Sequence, residues 1–204
     1  MASKYHGLRF GPLGDNALHL CVDMQNMFAG DTEWHTPWME RVLPNVERLV
    51  RHDPARTIFT RFIPAQNAEA ARGAWRPYYQ RWHSMTLDEL DPAMVELMAP
   101  LARFVPPATV FEKATYGAWT DGTLDTLLRR RGTDTLVVIG GETDVCVLGT
   151  VLGAVDLGYR VVVVSGALCS ASDHHHDALM LLYQERYGAQ IETALTDEVL
   201  AAWR

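Results

Sequence analysis

A chain of 204 residues, 48% hydrophobic and 21% charged, has the length for one domain with a sizeable buried core, and this composition excludes a disordered polymer. Its net charge of -7 and pI near 5.6 exclude nucleic-acid or anionic-membrane binding as its main task. No apolar run reaches the roughly 18 residues of a membrane span, and residues 1–13 lack a basic segment leading into an apolar core, so a cytoplasmic protein is expected.

In chain order, residues 17–23 form the first short apolar run that reads as a buried strand, ending Leu20-Cys21-Val22-Asp23. A helix-period stretch, 38–52, leads to a second strand at 56–63. Residues 64–107 then break the rhythm, with short helices expected at 69–81 and 90–102. This segment carries Trp75, Tyr78, Tyr79, Trp82 and His83, and its aromatics suit packing at the sheet or a subunit interface as well as they suit a pocket wall. Strands follow at 108–113, 135–140, 160–165 and 189–194, alternating with helices at 122–131, 144–157, 173–187 and 196–203. Strand alternating with helix predicts a single α/β domain over 1–204, an open Rossmann-like sheet in three layers with helices on both faces.

Three cysteines are too few and too scattered for a disulfide scaffold, and no CxxC or CxxH pair suggests structural zinc. Cys21 and Cys169 sit in or after apolar runs and read as core. Cys146 differs. Ligands of open α/β sheets bind outside the carboxyl ends of the strands, and there the sequence places Asp23, Lys113 and the turn Gly140-Gly141-Glu142-Thr143-Asp144-Val145-Cys146. A thiolate gains from a helix N-terminus and a nearby ammonium, so Cys146, early in a helix capped by Thr143, is the candidate nucleophile beside Lys113. Asp23 is positioned to take the thiol proton and return it to a leaving amine.

These segments carry a resemblance. Leu20-Cys21-Val22-Asp23-Met24-Gln25-Asn26-Met27-Phe28, Glu112-Lys113-Ala114-Thr115-Tyr116-Gly117-Ala118-Trp119 and Gly140-Gly141-Glu142-Thr143-Asp144-Val145-Cys146-Val147 resemble the isochorismatase-like cysteine hydrolase superfamily in order and spacing. The resemblance implies a six-stranded parallel sheet, commonly in dimers or tetramers, with Asp23 as general base, Lys113 as charge stabiliser and Cys146 as nucleophile. It also implies a cis peptide between Gly141 and Glu142, with the backbone N–H groups of Glu142 and Cys146 forming an oxyanion hole. Phe28, Gln25, Tyr116 and Trp119 are the implied substrate contacts, with Asn26 a further polar candidate. Zinc-binding nicotinamidases carry Asp-x-His and a further His after the second strand, whereas this chain reads Thr60-Arg61-Phe62-Ile63-Pro64-Ala65-Gln66, and Met27 replaces an acidic residue common in them. No metal, no cofactor and no preference for nicotinamide are therefore expected.

His174-His175-His176 invites a metal, but adjacent helical residues point about 100° apart, so the three cannot face one ion; Ser172 or Asp173 reads as their N-cap. The expected function is metal-independent hydrolysis of a small amide or ureide through a thioester, by a homodimer or homotetramer. Three other readings stand beside it: a redox or sensor protein using a low-pKa Cys146 thiolate, an idle binding module, and a nicotinamidase-like activity. Residues 66–86 are expected to fold over the strand ends of their own or a neighbouring subunit.

Overall fold

The computed structural model describes residues 6–203. Residues 1–5, where the reading of the leader region begins, and residue 204 lie outside the described part. Six strands, β1 Ala17–Val22, β2 Thr57–Phe62, β3 Thr109–Lys113, β4 Thr135–Gly141, β5 Arg160–Cys169 and β6 Ile191–Ala194, form one parallel sheet in the order β3-β2-β1-β4-β5-β6. The helices are α1 Asn26–Ala29, α2 Met39–His52, α3 Trp75–Arg81, α4 Ala99–Ala102, α5 Thr123–Arg130, α6 Cys146–Asp156, α7 Asp173–Leu181 and α8 Thr196–Ala202.

Side chains alternate across each strand, so the two sheet faces feed two cores. Cys21, Phe59, Val137 and Val162 pack with Met39, Val46 and Leu49 of α2 and Val199 of α8. Leu20, Ile58, Val138 and Val163 pack with Leu124 of α5, Val151 of α6 and Met180 of α7. Every residue of β1 and β4 is buried. These two central strands flank the place where the strand order reverses, and crevices for ligands open at such points.

Three predicted elements differ from those observed. The helix expected at 90–102 is a 3₁₀ turn, Pro92–Val95, followed by the single turn of α4. Pro92 and Pro100 each lack an N–H and fall in the first turn of their short elements, where that loss costs least, so each starts a new turn rather than continuing one helix. The helix expected at 173–187 changes after Leu181 into a π-helical turn, Leu182–Arg186. The expected strand 160–165 continues to Cys169, and its register against β4 shifts between Val138 and Gly140.

Candidate functional site

Asp23 follows β1 with φ of +48°, the one non-glycine residue with positive φ among those described. An aspartate tolerates this left-handed geometry better than most residues, yet it carries strain of the kind that persists where surroundings enforce it. The enforcement is visible. Asp23 N–H donates to the Thr60 carbonyl at 3.2 Å, Thr60 Oγ1 donates to Asp23 Oδ1 at 2.6 Å, and Lys113 Nζ donates to Asp23 Oδ2 at 2.6 Å. Lys113 also donates to the Thr115 carbonyl at 3.0 Å. The side chains of this ion pair are only 1% and 3% exposed, so removing either partner strands a charge away from water.

The third group enters from β4. Gly140 has φ of +105°, and a Cβ there would lie 2.2 Å from the Val22 carbonyl oxygen, so only glycine lets β4 turn beside β1. The Gly141–Glu142 peptide is cis, and Cys146 is the first residue of α6. The expected Thr143 cap is not formed: Val145 holds the N-cap position without a side-chain bond. Thr143 Oγ1 instead donates to the Cys169 carbonyl at 3.0 Å, which leaves it to accept from His176 Nδ1 at 2.8 Å. The Glu142 carbonyl serves the helix start, accepting from Val145 and Val147 N–H. Among the described residues no acceptor takes the N–H of Glu142 or of Cys146.

The electrostatics depart from the expectation of an acidified thiol. Burial, and then the Asp23 charge, push the Cys146 thiol well above its ordinary value of 9.0, against the opposing pull of Lys113. Burial alone would lower Lys113; Asp23 first and Cys146 second outweigh it and hold the ammonium above its ordinary 10.5. Both directions favour a neutral thiol beside the Asp23–Lys113 pair.

Over these groups lies a cavity of about 360 Å³ walled by Phe28, Trp34, Phe62, Tyr78, Trp82 and Tyr116, with Glu33, His35, Glu142, Val145, Cys146 and Ala171 completing it. Phe28 and Tyr116 thus stand where they are expected. Gln25 does not: it is fully buried, donating through Nε2 to the carbonyls of Phe62 at 2.9 Å and Val95 at 2.7 Å, and accepting from Phe62 N–H at 2.7 Å. It ties the end of β2 to the following segment. Trp119 also leaves the wall, because its ring lies against Gly153 of α6 and stacks on Tyr159, with Nε1 donating to the Thr150 carbonyl at 2.8 Å. Asn26 donates to the Ala93 carbonyl at 2.9 Å.

The histidine run has structural partners. His176 is buried against Trp38 and Thr143, and His175 Nδ1 lies 3.2 Å from Asp144. Ser172 caps α7 through His175 N–H. Among the described residues no three His, Cys, Asp or Glu side chains gather as a metal site. The roles of Thr60, Trp34, Glu33 and His35 escape a linear reading. Thr60 alone left a signal, since pairing β2 beside β1 puts it next to the Asp23 end.

A cysteine, a carboxylate and an ammonium at the carboxyl edge of this six-stranded sheet define a protein of the isochorismatase-like α/β class. A family model described as the isochorismatase domain matches residues 17–194. The uncharacterized isochorismatase family protein YwoC of Bacillus subtilis (strain 168) is 30% identical over 166 residues, 78% of this chain and 82% of that protein. The chain belongs to the isochorismatase family, a family of hydrolases. Its fold is similar to that of a cysteine hydrolase from Pseudomonas syringae pv. phaseolicola 1448A, with TM-score 0.78, 24% identity and 92% of each chain covered. It is similar also to that of N-carbamoylsarcosine amidase from Thermoplasma acidophilum, with TM-score 0.70, 22% identity and coverage of 89% of this chain and 97% of the other.

Proposed function

We propose that the protein hydrolyses a small carboxamide or ureide at its C–N bond through a thioester on Cys146. The observation that carries this reading is the buried Asp23–Lys113 pair, 2.6 Å apart, acting on a thiol that lines the cavity. Asp23 accepts the thiol proton as Sγ bonds to the substrate carbonyl carbon, so the thiolate exists only as it attacks. Lys113 offsets the charge passed between the two. The unclaimed N–H groups of Glu142 and Cys146 suit the developing oxyanion. Asp23 returns the proton to the leaving nitrogen as the C–N bond breaks. Water, deprotonated by Asp23, then attacks the thioester; the C–S bond breaks and the thiol is re-formed. Amide and water become carboxylic acid and amine.

A redox sensor needs a thiolate at rest, and the raised Cys146 pKa disfavours one. The reading takes a metal-free mechanism from the donor set, because residues 60–66 hold none of the histidines of zinc-dependent relatives. It includes a homodimer or homotetramer, for which the exposed Leu181 and Leu182 offer apolar surface. Screening small amides and ureides for ammonia release tests the activity, with Cys146→Ala as the blank. Turnover is expected to fall at least about a thousandfold in the variant, with the circular dichroism spectrum unchanged; retained turnover sinks the mechanism.

A further inference from the structure

The wall of the cavity is unusual in its charges. Six aromatic rings line it, and its formally charged side chains are the carboxylates Glu33 and Glu142; neither lysine nor arginine is among its lining residues. Aromatic faces carry negative potential and attract cations, most strongly when water is excluded. Two of these rings already hold one of the protein's own cations: Lys113 Nζ lies 5.1 Å from the Phe62 centroid, and Arg81 lies 4.9 Å from that of Trp82. Among the described residues Phe28, Trp34, Tyr78 and Tyr116 have no such partner, and Trp34 stands 6.1 Å from Phe28 and 5.8 Å from Tyr78. The Lys113 charge is committed to Asp23 below the wall.

The neighbouring surface points the same way. A larger open cavity of about 590 Å³ adjoins the first, shares Glu33 with it, and is lined by Asp31, Glu33, Glu89 and Asp91 with no basic side chain. The surface next to the aromatic chamber on the Glu33 side is therefore acidic, in a chain of net charge -7. A cleft of one charge sign raises the local concentration of ligands of the other sign. His35 is held in place at the rim, its Nδ1 donating to the Gly30 carbonyl at 2.9 Å. A carboxylate on a substrate would meet Glu33 and the faces of the rings, while Glu142 Oε1 accepts from Ala171 N–H at 3.0 Å and from Thr36 Oγ1 at 3.4 Å. An ammonium, trimethylammonium or guanidinium group would meet complementary partners along the aromatic wall and at Glu33, away from the N–H groups beside Cys146.

We infer that the substrate is a small amide or ureide bearing a permanent or protonated cationic group, which the aromatic wall and Glu33 hold while the carbonyl carbon reaches Cys146. This rests on the hydrolase reading above, and it narrows the substrate class by charge.

A set of amides alike in shape and different in charge tests it. Trimethylammonioacetamide and tert-butylacetamide share one shape, and malonamate supplies an anion of similar size. For the cationic amide kcat/KM is expected to exceed that of the neutral one by about tenfold, with the anion slowest and the gap narrowing as salt is added. In Glu33→Gln the cation-to-neutral ratio is expected to fall several-fold; because the ratio is read within one protein sample, loss of folded material cancels. An unchanged ratio in that variant, or equal or faster turnover of the neutral or anionic amide, overturns the inference. Calorimetry on the Cys146→Ala protein separates it from the hydrolase reading. Preferred binding of the cationic amide with no ammonia release by the wild-type protein leaves the cation site standing and removes the hydrolase. Hydrolysis led by the neutral amide does the reverse, and binding of none of the three removes the cation site.

Discussion

At the floor of the cavity, Asp23 and Lys113 stand at the ends of β1 and β3 and Cys146 at the start of α6 beyond β4, each at most 7% exposed and each tied to another. The wall above them is drawn from residues 28–35 and 62–82 and from Tyr116, mostly irregular chain and short helices, and Tyr116 is 39% exposed. The two regions are held by different physics. On the floor, charges in a dry site bind one another strongly, so geometry is rigid and each removal is costly. On the wall, rings share contact area over several neighbours, and the loss of one face is spread among the rest. Chemistry needs the first kind of rigidity, and selectivity among substrates can be adjusted on the second without disturbing it.

The sharpest way to break that contrast is to take the floor apart one charge at a time. Lys113→Met leaves the Asp23 carboxylate buried without its ammonium, and a loss of about 3–5 kcal/mol in unfolding free energy is expected from urea denaturation. Adding Asp23→Asn removes the stranded charge while keeping an acceptor for Thr60, so the double variant should regain most of that stability while activity stays lost. If the double variant is no more stable than Lys113→Met alone, the floor is not held by its ion pair. The wild-type pair also has a pH signature. Lys113 has a raised pKa in the folded protein, so its stabilisation is complete below its ordinary 10.5 and fades as pH climbs through the folded value. The double variant should lack that component of alkaline loss.

A second test uses the thiol. With Cys146 pushed well above 9.0, alkylation by iodoacetamide should be slow at neutral pH and should keep accelerating beyond pH 9.0 rather than levelling off. Slow alkylation at pH 7 is therefore the outcome expected of the proposed hydrolase site. Burial raises Cys21 and Cys169 as well, so mass spectrometry should find the label on the cavity-lining Cys146. Asp23→Asn removes the charge that helps raise the thiol. The expected outcome is a several-fold faster alkylation together with lost hydrolysis, two changes of opposite sign from one substitution. An unchanged alkylation rate in that variant would mean that Asp23 does not act on the thiol, and a slower one that its role as proton acceptor outweighs its charge.

The same contrast explains what the linear sequence reveals. Asp23, Lys113 and Cys146 are legible because a parallel sheet fixes where strands end, and the alternation of apolar runs with helix periods marks those ends directly. The all-parallel sheet follows from the same pattern. Gly140-Gly141 is legible because β4 has no room for a Cβ there, Gly140 facing Val22 of β1 and Gly141 facing Cys169 of β5 and Met39 of α2. The wall is not legible in this way. Trp34, Glu33 and His35 meet Tyr78 and Trp82 only after a path through irregular chain that no periodicity predicts. The thiol's ionisation is misread for a related reason: helix dipole and lysine are visible in sequence, whereas the desolvation that outweighs them depends on total burial.

The smallest effect separates two aromatic residues that share a sequence neighbourhood with Lys113 or face it across the cavity. Trp119 looks like a substrate contact by position, yet its indole N–H is spent on the Thr150 carbonyl and its ring on Tyr159 and Gly153. Trp119→Phe gives up one neutral hydrogen bond, worth about 1 kcal/mol, which for a chain of this length lowers Tm by about 2–4 °C. Its KM and kcat should stay as they are, since nothing on the cavity side has moved. Tyr78 faces the cavity and touches Trp34, so Tyr78→Leu should raise KM for the best amide several-fold with kcat less affected. A KM effect from Trp119→Phe equal to that from Tyr78→Leu would extend the wall onto α6. The separation between a packed ring and a ligand-facing one would then have to be redrawn at that helix.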